Sequence, residues 1–300
     1  MNSVILHCLN AESYALWQRG EYLPQSLSSE GFVHLCTCSQ LPWVIETFYG
    51  DGDGVHLLLI DASSLGAALK YEAAAGTDAA PDGLFPHLYA PIPALSVLDC
   101  VSYSMFCRSR PRVISRRHRQ LLQRYAFARL PVEGTLYIST WRSDEETEDG
   151  GPVGTAMLGM YSDFPFSVSC FHRLAFDEVW HFYEGSPLDL FLLHPDGRTE
   201  QVRLGPDDLR QFVVPKGVWQ AGRLAQAAED SSLTSWPTSS HANESRYALF
   251  GCTMAPGFHG RCFEAAQPST LKQRYPSWAA LIDELSVNDE HTQMPDGFAP

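Results

Sequence analysis

Residues 171–185 read FHRLAFDEVWHFYEG, a run of aromatic and branched side chains that contains a histidine, a glutamate and a closing glycine. Similar short runs recur on both sides of it, and turns such as His194-Pro195-Asp196-Gly197 separate them. Many short strands at close spacing indicate an all-β sandwich or barrel. The strand-like runs are residues 135–140, 153–161, 166–172, 179–183, 188–193, 201–204, 211–214 and 247–254.

Alternation along the strand divides its side chains between two faces. Glu178, Trp180 and Phe182 share one face, and His181 and Tyr183 share the other. If Glu178 faces the barrel interior, the two aromatic side chains face it as well. The interior then becomes a mostly apolar pocket with few polar groups, which is typical of a small-molecule site.

The N-terminal third of the chain has a different pattern. Short helices alternate with short apolar strands, such as a helix over 11–19 that ends at Gly20 and a strand over 55–60. This mixture predicts an α+β domain, and 300 residues suffice for two domains. The predicted segments are a small α+β domain over 1–105, an arginine-rich connector over 106–125, a β-barrel domain over 126–285 and a polar tail over 286–300.

The composition excludes several classes of protein. The formal net charge is −14 and 45% of the residues are hydrophobic, which describes a globular chain that repels nucleic acid. No apolar run approaches the ~20 residues of a membrane helix, and no basic secretory signal begins the chain. Eight cysteines without a C-x-x-C pair predict reduced thiols. We therefore expect a cytoplasmic protein with neither membrane nor nucleic acid as partner.

Eight arginines interrupt this acidic chain between Cys107 and Leu130. We interpret the stretch as a solvated connector that pairs with acidic surfaces, because it has little aromatic interleaving. Attraction of phosphate, and a border to a pocket for an anionic ligand, stay open as alternatives. Residues 229–245, rich in Ser, Thr and Ala, predict a surface insertion. The arginines are Arg108, Arg110, Arg112, Arg116, Arg117, Arg119, Arg124 and Arg129.

Residues 171–185 resemble the first motif of the cupin superfamily, in which one or two histidines, a glutamate and a glycine have fixed spacing. His172 matches the first histidine and Glu178 matches the glutamate, but Leu174 stands where a second histidine is usual. The second cupin motif resembles residues 215–220, PKGVWQ, whose final glutamine replaces a histidine.

More narrowly, this segment is similar to an uncharacterised family of RmlC-like cupins (DUF985), over about half of the chain. The resemblance implies a jelly-roll barrel. It departs at Pro131-Val132, where the family usually has His-Pro, and at His259, where it usually has Asp. The first departure would alter the pocket mouth. The matching blocks lie at 133–134 and within 177–183, 213–221 and 251–258.

RmlC-like epimerases work without a metal, and the resemblance implies that His172 and Glu178 form an acid/base pair, with His181 and Tyr183 as further catalytic candidates. We predict an isomerase, epimerase or lyase that acts on a polar or anionic metabolite. The alternative is a ligand-binding or sensing cupin without turnover. The predicted substrate-binding residues are Glu133, Trp180, Phe182, Trp219 and Gln220.

Metal-binding cupins commonly supply three histidines and one carboxylate. Here His172, Glu178 and Gln220 are the candidate ligands, and glutamine binds zinc or iron weakly. No cofactor is firmly implied, and a divalent metal at these residues stays open. Cupin barrels often pair through edge strands, so a homodimer is the expected assembly.

Residues 20–37 and 85–92 resemble a small bacterial and fungal family without assigned function (DUF952), whose fold is similar to that of ADP-ribosyltransferases. That superfamily binds NAD in a cleft with a strand histidine and often a later glutamate. The resemblance therefore implies NAD-linked transfer as a third function, with His34 as the strand histidine. The alternative is that His34 and His87 are structural residues. The other pocket candidates are Thr37, Glu72, His87 and Tyr89.

Overall fold

The computed structural model describes residues 4–20, 22–73, 84–107, 113–148, 150–226, 244–287, 292–295 and 298. The chain divides into two compact units. The first comprises residues 1–126 together with 164–166 and 243–245, and the second comprises the rest. Within the described part of the chain, no helix combines the length and the apolar character that crossing a membrane requires. All eight cysteines lie within the described residues, and none of them forms a disulfide.

The first unit is an α+β domain, as the sequence predicts. Its strands are β1 (Val4–Leu9), β2 (Val33–His34), β3 (Cys36–Thr37), β4 (His56–Asp61), β5 (Leu69–Ala73), β6 (Leu84–Leu88) and β7 (Val97–Ser102). Its helices are α1 (Ala11–Gln18), α2 (Gln25–Ser29), α3 (Leu41–Phe48), α4 (Tyr103–Cys107) and α5 (Arg116–Tyr125). One antiparallel sheet has the order β3-β1-β4-β7 and another has the order β2-β6-β5. The apolar strands β1 and β4 are almost fully buried and supply much of the core.

Helix α5 lies within the predicted arginine-rich connector. Arg119 pairs with Asp61 at 3.3 Å, as the prediction of acidic partners requires, but one face of the helix is buried rather than solvated. His118, Leu121 and Leu122 are buried along one face, because the arginines occupy the other positions of the 3.6-residue period. The side chain of Ser115 accepts a hydrogen bond from the amide of His118 and caps the helix. The predicted positions 108, 110, 112 and 229–243 lie outside the described residues.

The second unit contains two antiparallel sheets, which confirms the predicted β-barrel. Its strands are β8 (Ala128–Arg129), β9 (Leu136–Arg142), β10 (Thr155–Asp163), β11 (Phe166–Ser167), β12 (Ser169–Leu174), β13 (Glu178–Gly185), β14 (Leu188–Leu193), β15 (Thr199–Leu204), β16 (Gln211–Val214), β17 (Trp219–Leu224), β18 (Tyr247–Met254) and β19 (Phe263–Ala265). Its helices are α6 (Pro268–Arg274) and α7 (Ala279–Glu284). The larger sheet has the order β16-β13-β18-β10-β9-β8, with β11 beside β10, and the smaller has the order β15-β14-β17-β12-β19.

Strand β13 shows how the barrel interior is set. Glu178, Trp180 and Phe182 are buried, whereas Tyr183 is half exposed, so the predicted division of faces is confirmed. The ring of Trp180 stacks on that of Phe250 with 4.8 Å between centroids. Side chains from both sheets form one apolar cluster with these rings, which is the core of the barrel.

The C-terminal segment, predicted as a polar tail, packs apolar side chains against the barrel domain. Met294 is buried, and the ring of Phe298 lies 6.3 Å from that of Tyr137. The amide of Ala265 donates to the carbonyl of Thr292 at 2.7 Å. Burial of these two apolar side chains in one apolar cluster holds part of the predicted polar tail against the barrel.

Candidate functional site

A cavity of about 40 Å³ lies inside the barrel of the second unit. Glu133, His172 and Glu178 are its ionisable lining groups besides one buried thiol, and most of the remaining lining is apolar. Such a volume accommodates roughly three water-sized groups. The other lining residues are Leu130, Ser139, Thr155, Ala156, Met157, Leu174, Trp180, Cys252, Met254 and Phe258.

Glu133 reaches this cavity from a strained turn between β8 and β9. Val132 has a φ of 66°, a conformation that a β-branched residue rarely adopts. The amide of Glu133 donates to the carbonyl of Pro131 at 2.6 Å, and Gly134 follows with a φ of 91°. Backbone strain of this kind persists only where surrounding contacts enforce it, and it recurs at functional sites.

Hydroxyl groups hold one carboxylate oxygen of Glu133. Its Oε1 accepts hydrogen bonds from Thr135 at 2.5 Å and from Ser169 at 2.7 Å. Tyr161 in turn donates to Ser169 at 2.6 Å, and burial together with the charge of Glu133 raises the pKa of Tyr161 well above its usual range. The other oxygen, Oε2, lies 3.9 Å from Nε2 of His172. The network thus presents one oxygen of Glu133 to the imidazole.

The ring of His172 on β12 has a fixed orientation. Its Nδ1 donates to the carbonyl of Cys170 at 2.8 Å, and the ring stacks on Phe263 with 5.2 Å between centroids. With the proton on Nδ1, the neutral ring carries its lone pair on Nε2. This nitrogen is the one that faces Glu133, so the imidazole is oriented to accept a proton beside a carboxylate.

Glu178 is the second carboxyl group of the cavity. Its Oε2 accepts hydrogen bonds from Nε1 of Trp180 at 3.0 Å and from Nε2 of Gln220 at 2.7 Å, the latter across the interior from the smaller sheet. Burial raises the pKa of Glu178 and the charge of Glu133 raises it further, while His172 and the hydrogen bonds act in the opposite direction. Glu178 therefore keeps its proton to a higher pH than an exposed carboxyl group.

The donor set does not fit a metal ion. Gln220 directs its amide nitrogen to Glu178 and accepts from the indole of Trp180 at 3.1 Å, so its polar atoms are engaged with neighbours rather than a common metal position. His172 supplies the single imidazole of the cavity lining. Across the described ranges, no group of three or more His, Cys, Asp or Glu side chains converges as ligands. Of the three predicted ligands, Glu178 and Gln220 hydrogen-bond to each other, and His172 donates to the carbonyl of Cys170.

Five of the residues predicted for this site do not line the cavity, and one of them is Gln220, which hydrogen-bonds to Glu178. His181 and Tyr183 lie on the other face of β13, because successive side chains of a strand point to opposite faces, and their rings stack with 6.5 Å between centroids. Phe182 is buried in the apolar core. Trp219 is partly exposed, with the guanidinium of Arg173 at 4.6 Å from its ring centroid. Their predicted catalytic and substrate-binding roles thus lack a place in this site.

The sequence predicts Glu133 as a substrate-binding residue but does not indicate that its carboxylate lies beside His172. The signal that was present is the turn Pro131-Val132-Glu133-Gly134, but a positive φ at valine cannot be read from residue types. Cys252 was missed entirely. Its thiol is buried against Glu178, and this burial raises the pKa of Cys252 well above its usual range.

The first unit contains a separate cleft of about 730 Å³, to which His34 and His87 contribute. These two residues pair across β2 and β6, with 5.6 Å between ring centroids. The carboxylate of Glu72 lies 3.0 Å from Nδ1 of His87 and accepts from Tyr89 at 2.8 Å, and these hydrogen bonds lower the pKa of Glu72. Thr37 hydrogen-bonds within the turn that precedes α3 and does not line the cleft.

Two family models match the chain. Residues 119–266 match the model described as Cupin superfamily (DUF985), and residues 8–100 match the model described as protein of unknown function (DUF952). Both resemblances and the two-part architecture are thereby confirmed. No curated protein matches the chain.

Solved structures resemble one part of the chain or the other. A protein from Shewanella oneidensis is 27% identical, covering 52% of this chain and 89% of its own, with a TM-score of 0.42. A hypothetical protein from Leishmania major is 27% identical, covering 56% of this chain and 97% of its own, with a TM-score of 0.45. A protein from Caulobacter crescentus is 26% identical, covering 33% of this chain and 83% of its own, with a TM-score of 0.28.

Proposed function

We propose that the second unit, a cupin domain that matches the DUF985 family, is an enzyme that moves protons on a small molecule whose reacting group, about the size of three water molecules, enters the barrel cavity. The observation that carries this proposal is the meeting of Glu133, His172 and Glu178 around one buried space. When two titratable groups in one cavity have different environments, their pKa values differ, and one can act as an acid while the other acts as a base. The reaction class that fits is isomerisation or epimerisation, or elimination by a lyase.

His172 acts as the base. Its hydrogen bond to the Cys170 carbonyl keeps the proton on Nδ1, so Nε2 is the atom that accepts the substrate proton. The carboxylate of Glu133, 3.9 Å away, stabilises the imidazolium that forms. The hydroxyl groups around Glu133 hold that carboxylate in place while the charge develops.

Glu178 acts as the acid. Burial favours its protonated form, so it can deliver a proton at a second position of the substrate. Trp180 and Gln220 fix the carboxyl group through two hydrogen bonds and thereby set the direction of delivery. Removal by one group and delivery by another is the requirement that epimerisation and elimination share.

The lining favours an uncharged polar substrate over an anionic one. Two carboxyl groups face the cavity, and no Lys or Arg belongs to its described lining. An anion would enter a buried space without a compensating cation, which is costly. The anionic alternative from the sequence therefore has less support than the polar one.

A binding or sensing cupin without turnover is the second candidate. The hydrogen bonds that Trp180 and Gln220 donate to Glu178 also satisfy it as a purely structural group. NAD-linked transfer and the likeness to ADP-ribosyltransferases stay predictions. No Lys or Arg belongs to the described lining of the first unit's cleft, so the lining offers no cationic side chain to bind the pyrophosphate of NAD. The homodimer also stays a prediction.

Activity profiling tests the proposal. The full chain is incubated with a cellular extract of small molecules, and the products are separated by chromatography that resolves isomers. Wild type should convert at least one compound, and His172→Gln and Glu178→Gln should each slow that conversion by roughly 10²–10⁴-fold.

Tyr183→Phe is the matched control, because Tyr183 lies on the outer face of β13, and it should retain the conversion. A compound that wild type retains without converting would favour the binding candidate. Conversion that survives in both cavity variants would contradict the proposed roles.

A further inference from the structure

The cleft of the first unit has the size of a ligand site, and the proposed chemistry does not use it. Its volume of about 730 Å³ falls within the roughly 300–1,000 Å³ of small-molecule pockets. Strands β1, β2 and β6 and helices α1, α2 and α3 all contribute side chains to it. Three independent features of its lining indicate what it would bind.

Rings form much of the wall. Phe32 stacks on His87 with 4.1 Å between centroids, and it meets His34 edge-on at 4.8 Å. Such rings offer flat faces for stacking another ring and negative potential for a cation. A second group of rings in the same lining comprises Trp43, Phe48 and Phe85.

A neutral pair of polar side chains stands among these rings. His7 donates from Nδ1 to the carbonyl of His34 at 2.8 Å, so its Nε2 accepts from the hydroxyl of Tyr22 at 2.6 Å. Burial lowers the pKa of His7 to about 4 and raises that of Tyr22 to about 12. The phenol proton is thus committed to His7, and the Tyr22 oxygen, which also accepts from the side chain of Ser13, keeps one lone pair for a ligand N–H.

The charges of the lining have one sign. Glu12 and Glu30 are its carboxylates, and no Lys or Arg belongs to its described lining. Glu30 is half exposed, 3.0 Å from Nε2 of His34. Aromatic faces beside carboxylates attract organic cations and repel anions such as phosphates.

We propose that this cleft is a second binding site, which takes a planar aromatic molecule that is uncharged or carries a cationic amine. The ring stacks against Phe32 and its neighbours, and an N–H group of the ligand donates to Tyr22. The amine lies toward Glu12 and Glu30. The same charges disfavour nucleotides and other phosphorylated aromatic molecules.

Three indoles that differ in charge test the proposal on the full chain. Tryptamine is cationic, indole is neutral and indole-3-acetate is anionic, while the ring is the same. Titration calorimetry and ligand-observed NMR should give the affinity order tryptamine, indole, indole-3-acetate, with about tenfold between the first and the last. Equal or tighter binding of indole-3-acetate, or no binding of any probe at millimolar concentration, would overturn the proposal.

Variants locate the binding. Phe32→Leu keeps an apolar side chain but removes the ring, and it should weaken tryptamine about tenfold. The double variant Glu12→Gln/Glu30→Gln should reduce the difference between tryptamine and indole-3-acetate. Leu95→Ala, at a position 77% exposed and outside the lining, and His172→Gln in the other unit should bind as wild type does. Tryptamine binding unchanged in folded Phe32→Leu, as checked by circular dichroism, would place the ligand elsewhere and refute the assignment.

Discussion

Glu178 carries a buried carboxyl group whose ionisation opposes folding. An unfolded glutamate titrates near ~4.3, and below that pH Glu178 is protonated in both states. Burial raises the pKa of Glu178 in the folded state. Its contribution to the stability of the folded protein is therefore present at low pH and is lost as the pH rises through the folded-state pKa.

Glu178→Gln should remove this dependence. The amide keeps the shape without ionising, so the free energy of unfolding of the variant relative to wild type should increase as the pH is raised from 4.5 to 8. Urea unfolding across that range measures it, with the exposed Glu145→Gln as control. If the free energies of unfolding of wild type and variant change in parallel with pH, Glu178 titrates as an ordinary carboxyl group.

At the scale of elements, the strands were more predictable than the turns. The alternation along β13 was enough to assign Glu178, Trp180 and Phe182 to the interior, because a strand has one side-chain period. The burial of one face of α5 could not be predicted, because the few apolar residues of an arginine-rich run become buried only if the fold brings a core beside them. The strained turn at Val132 was also unpredictable, because the surrounding fold and not valine enforces its φ.

That turn yields a prediction at the same scale. Val132→Gly and Val132→Ala both remove the packing of the valine side chain against its apolar cluster, but only glycine also relieves a strain of about 1–3 kcal/mol, less the roughly 0.5–1 kcal/mol of its greater entropy in the unfolded chain. Val132→Gly should therefore be at least as stable as Val132→Ala, whereas conversion in the profiling assay should fall because Glu133 is held less firmly.

Chemical unfolding and activity profiling of the same sample check both parts. Thr140→Ala, on the neighbouring strand β9 and outside the cavity lining, serves as the control. A Val132→Gly variant that is less stable than Val132→Ala would show that the turn is not strained.

At the scale of the whole molecule, acid should destabilise the first unit. Burial lowers the pKa of His7 to about 4 and that of His118 to about 3, so both rings must gain a charge that the folded unit opposes. The two neutral rings contribute fully to the stability of the folded unit above the pKa of ~6.5 that histidine has in the unfolded chain. This contribution is lost as the pH falls toward the lower pKa values of the folded state. For His7 alone the loss amounts to about 3 kcal/mol.

Hydrogen exchange followed by mass spectrometry measures this loss for each segment. Peptides that contain β1 and α5 should lose protection between pH 6.5 and pH 4.5, after correction for the intrinsic exchange rate. His181→Asn, which alters an imidazole on the outer face of β13, should leave that loss unchanged. Constant protection of β1 and α5 over the range would contradict the assigned burial of the two rings.

The measurement that bears most directly on the proposed chemistry is the deuterium content of a product formed in D₂O. His172 removes one proton and Glu178, exchanged with solvent, delivers another, so an isomer or epimer formed by wild type should carry a solvent deuteron at the reacting position, whereas elimination would pass the deuteron to the leaving group. His172→Gln should slow both the conversion and any exchange of deuterium into the substrate. An isomer or epimer made by wild type at full rate without deuterium would contradict acid/base chemistry in the barrel cavity.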